Sequence, residues 1–415
     1  MRDLLITLIV LGSLPLILRR PVVGVLMWVW ISVMNPHTQG WGFATQFPFA
    51  QMIAVTTLLS LLFTRAPRAL PFTALTCALL AFIAWMNITL PFSLFFDESM
   101  PHWNKVMKIM LMTIVCIMLV KSRRDVHALI WVLALSLGYY GVKGGIFTLR
   151  SGGGDRVWGP EGTFIGDNNA LALALIMIIP LMHYLLQQEQ RRWRRCLLIG
   201  AMLLCALAAL GTYSRGALLA IAAMGAFMWL KSSNKAVMGG VLVCATPLLL
   251  LFMPEQWGSR MDSINDYQQD ASAMGRINAW RMAWNLAGDR FFGGGFEIYE
   301  PSVFAAYAPD PLDIHAAHSI YFQVLGEHGF VGLALYLLLG VVLWRNAGWI
   351  LRHASPDPAL RWAATLAAMI QTSLIGFAVG GAFLSLLYFD VPYYLIAAVA
   401  ATRALVHAHL AGKAR

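Results

Sequence analysis

The chain has 415 residues, of which 59% are hydrophobic and only 12% charged, with a mean hydropathy of +0.67. Soluble domains carry about 25% charged residues, so half of the usual solvating charge is missing; a soluble globular protein, a disordered chain and a nucleic-acid binder are excluded. The net charge of +10 then marks the basic loop ends of a membrane protein, and no nucleic-acid partner is expected.

With about 20 apolar residues per crossing, candidate spans fall at 4–18, 21–34, 48–63, 70–90, 105–120, 126–147, 166–186, 196–213, 216–231, 236–253, 329–350, 359–381 and 385–406. The first two are short and joined by Arg19-Arg20-Pro21. They read either as two thin spans or as one re-entrant hairpin, so about twelve crossings are expected. The fold class is an all-α polytopic integral membrane protein. The N-terminal apolar run to Leu18 lacks a small-x-small cleavage site before Arg19 and is read as retained. Cys77, Cys116, Cys196, Cys205 and Cys244 all lie in or beside apolar runs, without metal-ligand spacing, and read as small buried hydrophobes.

Orientation follows from the basic residues at alternate span ends. Nineteen Lys and Arg gather on one side, among them Arg19, Arg65, Lys121, Arg191, Arg352 and Lys413. Eight lie opposite: Lys105, Arg150, Arg156, Arg215, Arg260, Arg276, Arg281 and Arg290. Only Asp125, Glu189 and Asp357 join the basic side, which is therefore expected to be cytoplasmic, with the other side in the periplasm or cell exterior. The chain then divides into an N-terminal transmembrane bundle (1–253), one long outer loop (254–318) and C-terminal transmembrane helices (319–415).

A loop of that length without a function is unusual. It starts polar, with Asp262 and Asp266, and continues into a helical stretch from Met274 to Ala287 that carries Trp280 and Trp284. Gly293-Gly294-Gly295 and a segment rich in Pro and Tyr follow. A second outer loop, 148–165, leads to Asp167-Asn168-Asn169, which has the chemistry to cap the next helix.

Arg215 sits between two apolar spans in Thr212-Tyr213-Ser214-Arg215-Gly216. Charge at that depth is costly and usually paired or functional; a guanidinium binds phosphate bidentately and keeps its charge at any relevant pH. Snorkelling to outer headgroups is the competing explanation. Arg276 opens the loop helix four residues before Trp280, with Arg281 as its rival. His318 leads directly into an apolar helix nine residues ahead of Glu327. Histidine alone titrates naturally near neutrality, which makes His318 the best outer general-base candidate, with His315 as the alternative.

Other chemistries find no support. Gly152-Gly153-Gly154 runs into Asp155-Arg156 rather than a P-loop. His-Glu-x-x-His and Gly-x-Ser-x-Gly do not occur. There is no outer Asp-x-Asp pair, although Asp262 and Asp266 remain conceivable metal ligands. Lys143, with Gly141, Gly144 and Gly145, is the one hint of a transporter's broken helix.

Four segments in order resemble the O-antigen ligase and polymerase superfamily of bacterial inner-membrane enzymes. They are Gly162-Thr163-Phe164 to Asp167-Asn168-Asn169, Tyr213-Ser214-Arg215-Gly216, Gly275-Arg276 with Trp280 and the later glycines, and His318 through Leu325-Gly326-Glu327 to Gly332. Where the family often has Asn-Pro-Asn, this chain has Asp167-Asn168-Asn169. The chain looks closest to ligases, and its N-terminal third resembles O-glycosylation ligases associated with exosortase systems. The resemblance implies a GT-C-like architecture in lipopolysaccharide biosynthesis, a glycan donor on undecaprenyl pyrophosphate, and a sugar hydroxyl of lipid A–core as acceptor. It further implies that Arg215 and Arg276 hold the pyrophosphate and His318 serves the acceptor, with Arg156, Asn169, Trp280 and Glu327 lining the substrates. Neither cofactor nor metal is expected. Polymerase, protein O-glycosylation ligase and lipid-linked glycan flippase are the alternatives.

Overall fold

The structure, a computed structural model, describes residues 1–65, 69–232, 234–236, 239–240 and 271–413. The candidate span 236–253, Cys244, Arg260, Asp262 and Asp266 lie wholly or almost wholly outside the described residues. Among those described there is no strand. The helices are α1 (Arg2–Arg19), α2 (Pro21–Met34), α3 (Phe49–Phe63), α4 (Ala74–Thr89), α5 (Phe96–Leu119), α6 (Arg123–Arg150), α7 (Asn168–Gln188), α8 (Arg192–Gly211) and α9 (Arg215–Lys231). Then come α10 (Ala271–Asp289), α11 (Pro301–Tyr307), α12 (Ile320–Ala354), α13 (Arg361–Gly380) and α14 (Asp390–Lys413). Every candidate span other than 236–253 coincides with one of these helices. Among the described residues eight helical segments are long and apolar enough to cross a bilayer, whereas α2 and α3 are apolar but shorter. The chain is a multi-pass membrane protein.

Helix starts follow local chemistry. Ser122 caps α6 reciprocally with Asp125, and Thr73 caps α4 with Thr76. Asp167 caps α7, its Oδ1 accepting the amides of Asn169 at 2.9 Å and Ala170 at 3.3 Å.

Helix α7 forms the centre, packed by α6, α8, α9 and α13. Small residues allow these approaches. A Cβ on Gly145 of α6 would stand 2.3 Å from the Leu204 carbonyl of α8, and one on Gly141 would meet Cys205. Gly141, Gly144 and Gly145 therefore serve helix packing, and α6 runs unbroken through Lys143. The transporter-like hint in the sequence has this simpler cause. Among the cysteines, Cys116 and Cys205 are buried, but Cys77 and Cys196 are exposed on the outside of the bundle. Expecting all of them buried was wrong for these two, because an apolar run in a bilayer has a lipid-facing side as well as a protein-facing one.

Helices α10 and α11 have a small core of their own, in which Ala279, Met282 and Leu286 of α10 meet Ile298, Phe304 and Ala317. This unit docks on α12 through a break in that helix. Gly329 takes φ +69°, which releases the carbonyls just before it. The amides of Gly294 and Gly295 fill the gap, bonding the carbonyls of Gly326 at 2.8 Å and Glu327 at 2.9 Å. A Cβ on Gly295 would strike Ser93 at 2.2 Å. The glycine-rich segments at 293–295 and 326–332 are thus the two halves of one backbone joint.

Candidate active site

Three loops at one end of the bundle converge. Asn168, buried at the start of α7, donates from Nδ2 to the Thr212 carbonyl at 2.7 Å. The Val157 amide reaches the Gly211 carbonyl at 2.9 Å, and the Tyr213 hydroxyl bonds the Gly153 carbonyl. These ties hold Tyr213 at φ +58°, a region costly for a residue with a Cβ. Ser214 then caps α9 by accepting the Ala217 amide at 3.2 Å, which sets Arg215 at the first helical position. A cation there opposes the helix dipole, whereas an anion at that point is attracted by dipole and guanidinium together. Arg156 lies half-buried beside the rings of Trp158 and Tyr213, at 5.6 Å and 5.8 Å. Asn169 is half-buried, its Nδ2 donating to Asn168 Oδ1 at 3.3 Å.

From the other side, α10 anchors the segment that ends at His318. Asn278 Nδ2 donates to the carbonyls of Asp310 and Asp313 at 2.8 Å and 2.9 Å, and its Oδ1 accepts the Asp310 amide. The Trp280 indole donates to the Ala317 carbonyl at 2.6 Å while its ring stacks on Phe322 at 4.9 Å. Trp280 therefore grips the residue immediately before His318. Arg276 is half-buried on this helix and Arg281 exposed.

His318 itself is half-buried and strained, with φ +42°. Its electrostatic neighbours are Arg276, Asp167 and His315. Burial lowers its pKa below the ordinary 6.5 and the Arg276 charge lowers it further; Asp167 opposes the shift and His315 adds slightly to it. The imidazole is therefore neutral, and able to accept a proton, at neutral pH. His315 is exposed and paired with Asp313 Oδ1 at 2.7 Å, in the solvated setting its sequence context implies.

The structure thus brings His318, Arg276 and Asp167 together, and the Asn168–Thr212 bond carries the chain on to Arg215. Glu327 lies elsewhere, in a closed network. It is 2% exposed, accepts Gln323 Nε2 at 2.9 Å and the Tyr388 hydroxyl, and lies 3.8 Å from His328. His328 is fully buried, with Nδ1 at 2.8 Å from Thr89 Oγ1 and Nε2 at 2.7 Å from the Tyr388 hydroxyl. Sequence reasoning missed Asp167 as a neighbour of the base, and missed His328, Tyr388 and Thr89 altogether. The pairing of residues 89, 328 and 388 has no periodic or local signal. No cluster of three or more potential metal-ligating side chains occurs among the described residues.

A half-buried neutral base with the Arg276 guanidinium as an electrostatic neighbour suits a reaction in which a hydroxyl loses a proton and an anionic group departs. Residues 200–337 match the family described as O-antigen ligase. Over that third of the chain the protein is similar to O-antigen ligases. Residues 1–190 match a family of unknown function, DUF5935, and no curated protein matches the chain. The matched stretch includes Arg215, Arg276, Trp280, His318 and Glu327, whereas Arg156 and Asn169 fall in the stretch before it. The match supports a ligase- or polymerase-type function, with lipid-linked glycan and acceptor substrates in general.

Proposed function

We propose that the protein is an O-antigen ligase of the bacterial inner membrane, with its active site on the periplasmic side. It transfers a glycan from undecaprenyl pyrophosphate to a sugar hydroxyl of lipid A–core. The observation that carries this reading is His318, half-buried on strained backbone with Arg276 and Asp167 as its electrostatic neighbours. Strain of this kind persists where surrounding structure over-determines it, commonly at functional sites. The excess of Lys and Arg at the opposite helix ends supports the orientation.

In the proposed reaction His318 takes the proton from the acceptor hydroxyl as its oxygen attacks the anomeric carbon. The bond from that carbon to the pyrophosphate oxygen breaks, and the electron pair leaves with the polyprenyl pyrophosphate. Arg215 and Arg276 stabilise the charge that develops there, a contribution that needs donors already in place. One displacement inverts the anomeric centre. Asp167 orients and electrostatically balances the base, and Trp280 fixes its backbone through Ala317.

The deciding experiment mixes purified full-length protein with undecaprenyl-pyrophosphate-linked glycan and three acceptors in parallel: lipid A–core, a second lipid-linked glycan and an acceptor polypeptide. Each arm is run with and without a chelator. Product on lipid A–core alone, retained in EDTA, is expected. Product only in the second or third arm reassigns the chain to a polymerase or a protein O-glycosylation ligase. Loss in EDTA restored by magnesium or manganese moves leaving-group stabilisation to a cation and brings Asp262 and Asp266 forward. Donor movement across a bilayer without product points to a flippase.

A further inference from the structure

At the end of the bundle opposite His318, a cavity of about 340 Å³ opens between α12, α14 and the start of α4. Its charged lining is Arg345, Arg352 and Arg403, with no carboxylate. None of these arginines forms an ion pair among the described residues. Asp357, the carboxylate that follows α12, is taken by Lys413 at 2.6 Å and His409 at 3.0 Å. Arg345 and Arg352 stand two helical turns apart, on the same side of α12. Arg403 comes across from α14 and is held in place: it donates to Oδ1 of Asn346, which is 4% exposed, and lies 5.1 Å from the Trp349 ring centre. Asn346 is fixed in turn by donating to the Val342 carbonyl at 2.7 Å. Ala74, the first residue of α4, also lines the cavity, so the positive end of that helix dipole adds to the same field.

Three guanidinium groups with no countercharge repel one another, and keeping one of them fixed costs side-chain entropy. A phosphate in the cavity relieves both costs, because guanidinium forks match its oxygens. We infer that this cavity binds the phosphate of an anionic lipid headgroup, at the basic end of the helices and separate from the transfer site. The lipid source follows from the setting. Val342 and Trp349 give the lining an apolar and an amphipathic side, and basic pockets between membrane helices at this depth suit headgroups.

The test compares phosphatidylglycerol, phosphatidylcholine and inorganic phosphate. Full-length protein in detergent is titrated with each lipid, and retained lipid is counted by native mass spectrometry. The expected result is preferential retention of phosphatidylglycerol. Arg345→Gln with Arg352→Gln should weaken it roughly 25-fold and Arg352→Gln alone about fivefold, from about 1 kcal/mol per surface cation. Because Arg403→Gln also removes the Asn346 and Trp349 contacts, these two exposed positions decide the matter, the single variant serving if the double one does not fold. Equal retention of the two lipids by the wild type, or unchanged retention in the variants, overturns the inference. Displacement of the lipid by millimolar inorganic phosphate assigns the cavity to soluble phosphate and overturns the lipid source. Retention is read without glycan transfer, so the outcome is independent of the proposed reaction.

Discussion

Two histidines ten residues apart show how differently one residue type is used. His318 sits half-buried on a left-handed backbone, beside an arginine and a carboxylate. His328 is fully enclosed, with a hydroxyl on each ring nitrogen. The first is at an accessible end of the molecule and carries strain that the scaffold maintains; the second satisfies its own polarity and closes the joint on which α10 and α12 meet. Polar groups buried with complete partners rigidify a core, whereas a base has to keep part of its capacity open to substrate.

The largest expected effect is at His318. His318→Ala should reduce glycan transfer by about 10²–10⁴-fold, while binding of the lipid-linked donor, measured by co-purification, stays near wild type. Transfer close to normal in this variant would erase the contrast between the two histidines. Next come the guanidinium groups. Arg215→Lys and Arg276→Lys keep charge but lose the planar fork, and each should lower transfer on the order of 10²-fold with normal membrane insertion. Full activity in Arg276→Lys would move attention to Arg281, despite its exposure.

His328→Leu should act through stability instead. It takes one hydrogen bond from each of the Thr89 and Tyr388 hydroxyls, which keep the Met86 carbonyl and Glu327 as partners, at about 0.5–1.5 kcal/mol for each bond lost. Thermal unfolding in detergent should shift downward, and folded protein should keep most of its turnover per molecule. Loss of turnover without loss of stability would make the buried network part of the chemistry.

Smaller still is the pH response. Transfer should rise with pH as His318 loses its proton, with an inflection below 6.5 because burial and Arg276 disfavour the charged form. Asp167→Asn removes the influence that favours the cation, so its inflection should move lower; Arg276→Gln should move it higher. An inflection that stays fixed in both variants would separate His318 from these neighbours. Smallest of all, His315→Ala should change the rate by less than about twofold, since an exposed ion pair contributes little.

Much of the frame was legible before any coordinates. Span positions followed from apolar run lengths, and the Asp167 cap from its side chain's reach to the amides two and three residues on. The helix carrying Arg276 and Trp280 was visible in outline, although it runs a little further at both ends than the predicted Met274–Ala287. The candidate site was visible as residue types but not as an arrangement. Glu327 was grouped with the substrate-lining residues because it shares with His318 one of the segments that resemble the family; the fold puts it in the enclosed network with His328.

The sequence by itself determined that the chain lies in a membrane, where its helices fall, and which few residues at the span ends carry unusual charge. Those properties are local: hydropathy, helix capping and the cost of charge are all paid within a few residues. Only the tertiary structure decided which of these residues meet. Asp167 joins His318, and Thr89 and Tyr388 enclose His328, through contacts that span tens to hundreds of residues. Such contacts arise from helix packing and from the Gly329 break, where backbone amides of residues 294 and 295 complete another helix. No periodicity along the chain encodes that closure, because it depends on two segments fitting together in space.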